Sequence, residues 1–223
     1  MNETLEVTSY FGTPVYSVEL PELVKDLNKQ SDIIINEVKK INKKIISNKE
    51  KILRKKVNDF GMSHHSSSLL NSPCFKPLQE YVSKRSYEIL DHMGYDLSQY
   101  NLFWTEFWVQ EFAEKGGGHH EGHIHYDNHI SGFYFLKCSD RTSFPIFHDP
   151  RPAKLMTQLP LKNQSDVTFG TQMINYKPKP GTLILFPAFL EHQFFVDYGI
   201  EPFRFIHFNL QAIRKIITEK NEF

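Results

Sequence analysis

Between Leu102 and Leu210 the chain is cut into seven short apolar or alternating segments with no helical period between them. The segments are Leu102–Phe112, Ile130–Leu136, Pro145–His148, Val167–Tyr176, Thr182–Phe186, His192–Val196 and Phe203–Leu210, punctuated by Pro, Gly and Asp. Strands that succeed one another without helices cannot form a parallel α/β sheet, because parallel neighbours need long crossover connections. They predict antiparallel sheets folded into a sandwich or jelly roll. The 19 Phe residues gather in this half, where a core between sheets needs flat, bulky filling.

Residues 1–100 read differently. Pro14–Leu20 alternates like a short strand, and Leu23, Leu27, Ile34, Val38, Ile41 and Ile45 recur at helical spacing. Ser63–Leu69 reads as a polar loop, and a second helix is predicted over Phe75–Met93, ending near Gly94. The lysines between Lys39 and Lys56 read as a solvated helix face. The expected architecture is mainly β with N-terminal helices, in one structural domain. Residues 1–100 brace a sheet, 101–212 form the jelly-roll core, and 213–223 are a polar tail ending in a short frayed helix. A length of 223 residues suits such a fold, which often takes about 200–250 residues as one unit.

Charge sets further bounds. Lys plus Arg equal Asp plus Glu at 26 each, so no overall field recruits nucleic acid or an anionic membrane. Cys74 and Cys138 are too few for a disulfide framework and are expected to be buried, reduced thiols. The polar N-terminus is unlike a signal peptide, and no apolar run approaches the ~18 residues of a membrane span, so the expected location is the cytoplasm.

The chemistry concentrates in one window. His119, His120, His123, His125 and His129 lie beside Glu121 and Asp127. His125 and Asp127, two apart on an extended segment, point the same way and can bind one ion. His123 and His125 share that spacing. A third ligand is expected from His192, beyond the apolar strand that ends at Pro187. Two His and a carboxylate on one face of an octahedral ion suit non-haem Fe(II) and leave three positions, for a bidentate keto acid and dioxygen. If the segments carrying His192 and Arg204 pair as a hairpin, Arg204 lies deeper in the barrel, where its guanidinium can fork onto the far carboxylate of a dicarboxylate. The plainer reading of Arg204 is an ion pair with a protein carboxylate. Gln110 and Tyr134 flank the histidine loop and are placed to bond the keto acid. His207 is a candidate neighbour of His192, His64 and His65 read as surface residues, His148 as a turn cap, and Trp104 and Trp108 as core.

These pieces together carry a resemblance. His123–Leu136, Phe147–Arg151, Lys179–His192 and Arg204–Asn209, with the opening Phe11–Val15, resemble the Fe(II)- and 2-oxoglutarate-dependent dioxygenases, in particular a group of short phage and bacterial oxygenases. The likeness runs over nearly the whole chain. It implies a double-stranded β-helix of cupin-like form, Fe(II), and decarboxylation of 2-oxoglutarate to succinate and CO2 coupled to hydroxylation. It also implies His125, Asp127 and His192 as catalytic metal ligands, with Arg204, Tyr134, Gln110 and Asn209 toward the co-substrate. An acid two positions after the second His is not universal in that group, so His123 stands in reserve for Asp127; the carboxylate is preferred because it leaves Fe(II) less positive. The expected partners are 2-oxoglutarate, O2 and a substrate that is a peptidyl side chain such as proline, or a small molecule, with nucleic acid third. Two alternatives remain. One is a cupin-like metal-binding or structural protein, such as a viral component, whose ion would be closed by four ligands. The other is a cupin-type enzyme without a keto acid, in which Arg204 serves an internal ion pair.

Overall fold

The structure is a computed structural model that describes residues 6–157 and 159–215. In chain order its elements are β1 (Tyr16–Glu19), α1 (Val24–Leu53), β2 (Ser63–His65), α2 (Lys76–His92), β3 (Tyr100–Phe112), β4 (His120–His123), β5 (Ile130–Lys137), β6 (Pro145–His148), β7 (Met173–Asn175), β8 (Thr182–Pro187), β9 (His192–Phe194) and β10 (Arg204–Arg214). The larger sheet runs β1-β8-β5-β10-β3-β2 and the smaller β4-β9-β6-β7. Their pairings are antiparallel. Both helices precede the jelly roll, as the change of period near residue 100 predicts.

Strand alternation divides the larger sheet into two apolar faces. Phe107, Val109, Tyr134, Leu136, Leu183, Leu185, Ile206 and Phe208 pack on Leu27 and Ile35 of α1 and on Leu78, Val82 and Ile89 of α2. Phe133, Phe135, Ile184, Phe186 and Phe205 point the other way, against Phe147 and Phe194 of the smaller sheet. Full burial of each Phe contributes roughly 1.5–3 kcal/mol, so these rings are the main filling between the sheets. The stripe on α1 extends further in the sequence than the surface it covers. At 30 residues the helix is about 45 Å long, whereas six strands span only about 25 Å. Its second half overhangs, and Ile41 and Ile45 are more than half exposed.

Four readings are corrected. The predicted polar loop contains β2, which pairs with Glu111, Gln110 and Phe112 of β3, and the predicted histidine loop contains β4. Of Val167–Tyr176 only Met173–Asn175 is strand. Cys74 is exposed and Cys138 only partly buried. The frayed helix placed at the C-terminus lies outside the described residues except at Arg214, which is strand, and Lys215, which is in no regular element. Among the described residues no helix is long and apolar enough to cross a membrane.

Candidate metal centre

The short strand β4 brings its histidines inward by an irregularity. His120 lies opposite Phe194 and His123 opposite His192, with a register shift between them. Residues three apart on a regular strand face opposite ways; the bulge turns both rings toward the interior. The chain stays extended through His125, then turns at Tyr126–Asp127, where Asp127 takes φ 60. Nitrogens of His123, His125 and His192 converge to within 4.8 Å of one another, with ring centroids 4.5 to 5.2 Å apart.

Hydrogen bonds fix two of these rings. His192 Nδ1 is 3.0 Å from the Leu190 carbonyl and His123 Nδ1 is 2.7 Å from that of Glu121. A carbonyl only accepts, so each Nδ1 carries a proton and each ring turns its Nε2 away from that carbonyl. His192 is fully buried, and both His192 Nε2 and His125 Nε2 are buried without a partner. Burial, with neighbouring histidines adding to it, holds His192 down at about 2 and His125 down at about 3. Both are therefore neutral at pH 7. Buried neutral imidazoles that aim unpartnered nitrogens at one point are the donor set of a borderline metal ion such as Fe(II).

Behind His125 stands a carboxylate. Glu106, opposite Asn209 in the β3–β10 register, accepts a 2.7 Å bond from Asn209 Nδ2 and lies 3.2 Å from His207 Nε2. The same Asn209 nitrogen is 2.9 Å from His125 Nδ1. The bond to His207 is the main cause holding the Glu106 carboxyl down at about 2, against partial burial. Glu106, His125 and His207 form a second group within 4.8 Å. Glu106 and His207 already engage each other, whereas no hydrogen bond joins members of the first group. A metal fits the first, with Glu106 as an outer partner.

The other expected site residues fall in three places. Asp127 is exposed and belongs to neither group. Arg204 is buried on the helix-facing side, directly opposite Glu111 and Lys137. Its Nε donates to Glu111 Oε2 at 2.7 Å and its Nη1 to Asp32 Oδ1 of α1 at 2.6 Å. The hairpin supposed to aim it at the metal does not exist, since β9 and β10 belong to different sheets. Tyr134 also faces the helices, donating to the Leu20 carbonyl at 2.8 Å. Gln110 and Asn209 do face the interior. Gln110 Nε2 donates to Ser63 Oγ and lies 2.7 Å from His120 Nε2, while its Oε1 is buried without a partner.

Among the remaining histidines, His119 Nδ1 bonds the nearby Gly117 carbonyl, and His129 Nδ1 accepts from the backbone N–H of Ala212 on β10. His207 lies beside His125, at 4.8 Å between ring centroids. His64 is buried against Asn42 rather than on the surface, and exposed His65 lies tilted against Trp108 with ring centroids 3.9 Å apart. His148 Nε2 is buried without a partner. Trp104 packs with the helix-facing core, as expected. Sequence reasoning missed Glu106 and the inward turn of His120. Glu106 does share the alternation of Trp108 and Gln110, which was the available signal.

Residues 106–201 match the profile of a family described as "Putative 2OG-Fe(II) oxygenase". No curated protein sequence matches the chain. Among solved structures, AviO1 from Streptomyces viridochromogenes Tue57 aligns over 89% of this chain and 90% of its own, at 10% identity and TM-score 0.57. A Pseudomonas putida prolyl-4-hydroxylase aligns over 91% and 94%, at 9% identity and TM-score 0.51. At these identities the likeness shows the fold, the jelly roll of such oxygenases. A 2OG-Fe(II) oxygenase-family oxidoreductase from Burkholderia pseudomallei aligns over 70% of this chain at 13% identity and TM-score 0.43, and the chain spans 65% of its length.

Proposed function

We propose that this chain is a 2OG-Fe(II) oxygenase, a reading that the match of residues 106–201 supports, that it binds Fe(II) through His123, His125 and His192, and that it hydroxylates an organic substrate. The observation that carries the ligand set is the convergence of three imidazoles, two of them with buried, unpartnered Nε2 atoms. Three protein ligands leave positions for co-substrate and oxygen, unlike a structural site closed by four. That difference favours an enzyme over a metal-binding or structural protein. When bound, iron and 2-oxoglutarate supply the oxidation: O2 gives one atom to succinate as CO2 leaves and the other to a substrate C–H bond.

The protein's own part is positional. The Leu190 and Glu121 carbonyls keep Nδ1 protonated on His192 and His123, so each presents Nε2. Asn209 and Glu106 hold His125 from behind, and Glu106 supplies beside the ligands the negative charge that three histidines lack. Phe133, Phe147 and Phe186 flank His192 with ring centroids 4.9 to 6.3 Å away and exclude water from the inner side of the site. The substrate class we favour is a peptidyl side chain such as proline, in keeping with the fold shared with a bacterial prolyl-4-hydroxylase, ahead of a small molecule.

Metal titration of purified variants tests the ligand set. His123→Ala and His192→Ala should each lower Mn(II) or Fe(II) affinity by more than the roughly 10–100-fold that loss of an outer partner costs. Asp127→Ala should leave it within about twofold of wild type. Strong binding by His123→Ala, with loss in Asp127→Ala, would return the carboxylate to the ligand set. Succinate release from 2-oxoglutarate, stimulated by proline-containing peptides, tests the reaction.

A further inference from the structure

The larger sheet ends at β1, which pairs with β8 alone. The register decides which of its backbone groups are free. The Ala188 N–H donates to the His129 carbonyl, so by alternation Thr182, Ile184 and Phe186 of β8 bond β5, while Leu183 and Leu185 turn toward β1. There they face Val18 and Tyr16. The N–H and C=O groups of Ser17 and Glu19 therefore point off the sheet, and among the described residues no backbone group meets them. An open edge is a template for another strand, and β1 carries neither the Pro nor the Lys that commonly blunts one.

A helix stands beside that edge. Tyr81, Arg85, Glu88 and His92 recur every three or four residues on α2, so they form one stripe. The stripe lines a groove with Tyr16 and Val18. At its middle Arg85 and Glu88 pair at 2.6 Å, and both are nearly half exposed.

Edge and stripe are each complementary to themselves under a two-fold rotation. In an antiparallel pair of β1 strands, one register sets Ser17 of each protomer opposite Glu19 of its partner, with Val18 facing its own copy on the axis. Each such pair exchanges two backbone hydrogen bonds, and the two Glu19 carboxylates are not opposed. Antiparallel copies of α2, related by an axis midway between Ser86 and Tyr87, set Arg85 of each protomer against Glu88 of its partner. The same axis sets Tyr81 against His92. Opposite charges thus meet at both places.

The two axes coincide. Gly12, Thr13 and Pro14, which lead into β1, lie beside His92 and Met93, so β1 and α2 run antiparallel. The Tyr16 ring centroid is 6.2 Å from that of His92. From Tyr16 to Val18 is about 6.6 Å of strand, the rise of about four helical residues, which leads from His92 to Glu88. The strand axis therefore passes within about 2–3 Å of the helix axis of symmetry. A surface for a foreign peptide needs no such match, whereas a two-fold interface requires it.

We propose that this edge and stripe bind a second copy of the chain, β1 to β1 and α2 to α2, in a two-fold homodimer that joins the two larger sheets into one.

Sedimentation equilibrium of the full chain over about 1–100 μM tests it, a range suited to one strand and one helix stripe, which lie at the small end of specific interfaces. Wild type should be dimeric at the top of that range. Arg85→Glu and Glu88→Arg should each weaken dimerisation roughly tenfold or more, because each sets like charges against one another twice. An equal mixture of the two variants should dimerise again, since opposite charges then meet at both places. Ser17→Pro removes an outward N–H and leaves the bonds to β8 in place, so it should abolish the dimer with its melt unchanged. If that variant does not fold, amide exchange at Ser17 and Glu19 of wild type reads the same contact, slow when concentrated and fast when dilute. Wild type that stays monomeric overturns the proposal and leaves the groove to another occupant, such as an extended peptide. A dimer indifferent to both charge reversals, or two monomeric variants that fail to associate when mixed, overturns the assignment of this surface.

Discussion

Asp127 shows how one backbone angle redirects an argument from spacing. The i, i+2 rule assumes extended chain on both sides of the pair. It holds from His123 to His125 and fails from His125 to Asp127, because Asp127 takes φ 60 in a turn, a left-handed conformation that Asp and Asn tolerate better than most residues. The same sequence window thus offered one period and two candidate pairs, and in the fold His123 and His125 converge with His192 while Asp127 does not. The acid that does stand near the histidines, Glu106, comes from another strand. Removing its charge while keeping its shape, in Glu106→Gln, should weaken metal binding about tenfold, as loss of an outer carboxylate does. Titration with Mn(II) at constant pH checks this. Unchanged affinity would leave Glu106 as a hydrogen-bond acceptor for Asn209 and His207 with no electrostatic part in the site.

At the level of elements, where the strands lie was easier to read than which way their side chains face. The positions of β1, α2, β3, β5, β6 and β8 follow from apolar patterns and Pro or Gly breaks, and the structure places them within a few residues of the predicted segments. In β10 the residues from Arg204 to Leu210 are all buried, because helices cover one face and the smaller sheet the other. Burial on both faces erases the period-2 signal that would have told whether Arg204 looks toward the metal or away. Its partners had equally little signature: Asp32 lies more than 170 positions away, on α1. Lys39 and Lys137 complete the group through Glu111 and Asp32. Arg204 thus ties α1 to the sheet, and removing it leaves the buried Glu111 carboxylate with Lys39 alone, while half-exposed Asp32 keeps Lys137. Arg204→Ala should lower unfolding stability by about 3–5 kcal/mol, read from urea denaturation of the metal-free protein. A loss below about 1 kcal/mol would mean that the pairing with Glu111 and Asp32 contributes no more than a surface pair does.

For the whole molecule, packing histidines into an apolar barrel makes folding depend on protons. Burial, the largest cause for each, holds His120 down at about 4, His125 at about 3 and His192 at about 2, whereas unfolded histidines titrate near 6.5. A folded value below the unfolded one means that the unfolded chain binds more protons at any pH between the two. Stability contributed by these neutral rings is present above about 6.5 and is lost progressively as pH falls toward their folded values. Glu106, held at about 2 against about 4.3 when unfolded, acts in the same direction but only at lower pH. Between pH 7 and 5 the histidines alone should set the slope. The urea midpoint of the metal-free protein should therefore fall across that window. His120→Phe, which places a phenyl ring among Phe112, Phe194 and Phe205, should flatten the fall by removing one of the titrating rings. Metal adds a second dependence, since an ion bound only by the native state stabilises it in proportion to its occupancy, and protons compete for the same nitrogens. Stabilisation by Mn(II) should accordingly be larger at pH 7 than at pH 5. A metal-free midpoint that does not move between pH 7 and 5 would mean that the interior rings are reached by water and protonate in place. The neutral imidazoles on which the metal centre depends would then not exist near pH 5, and metal affinity there should collapse faster than stability does.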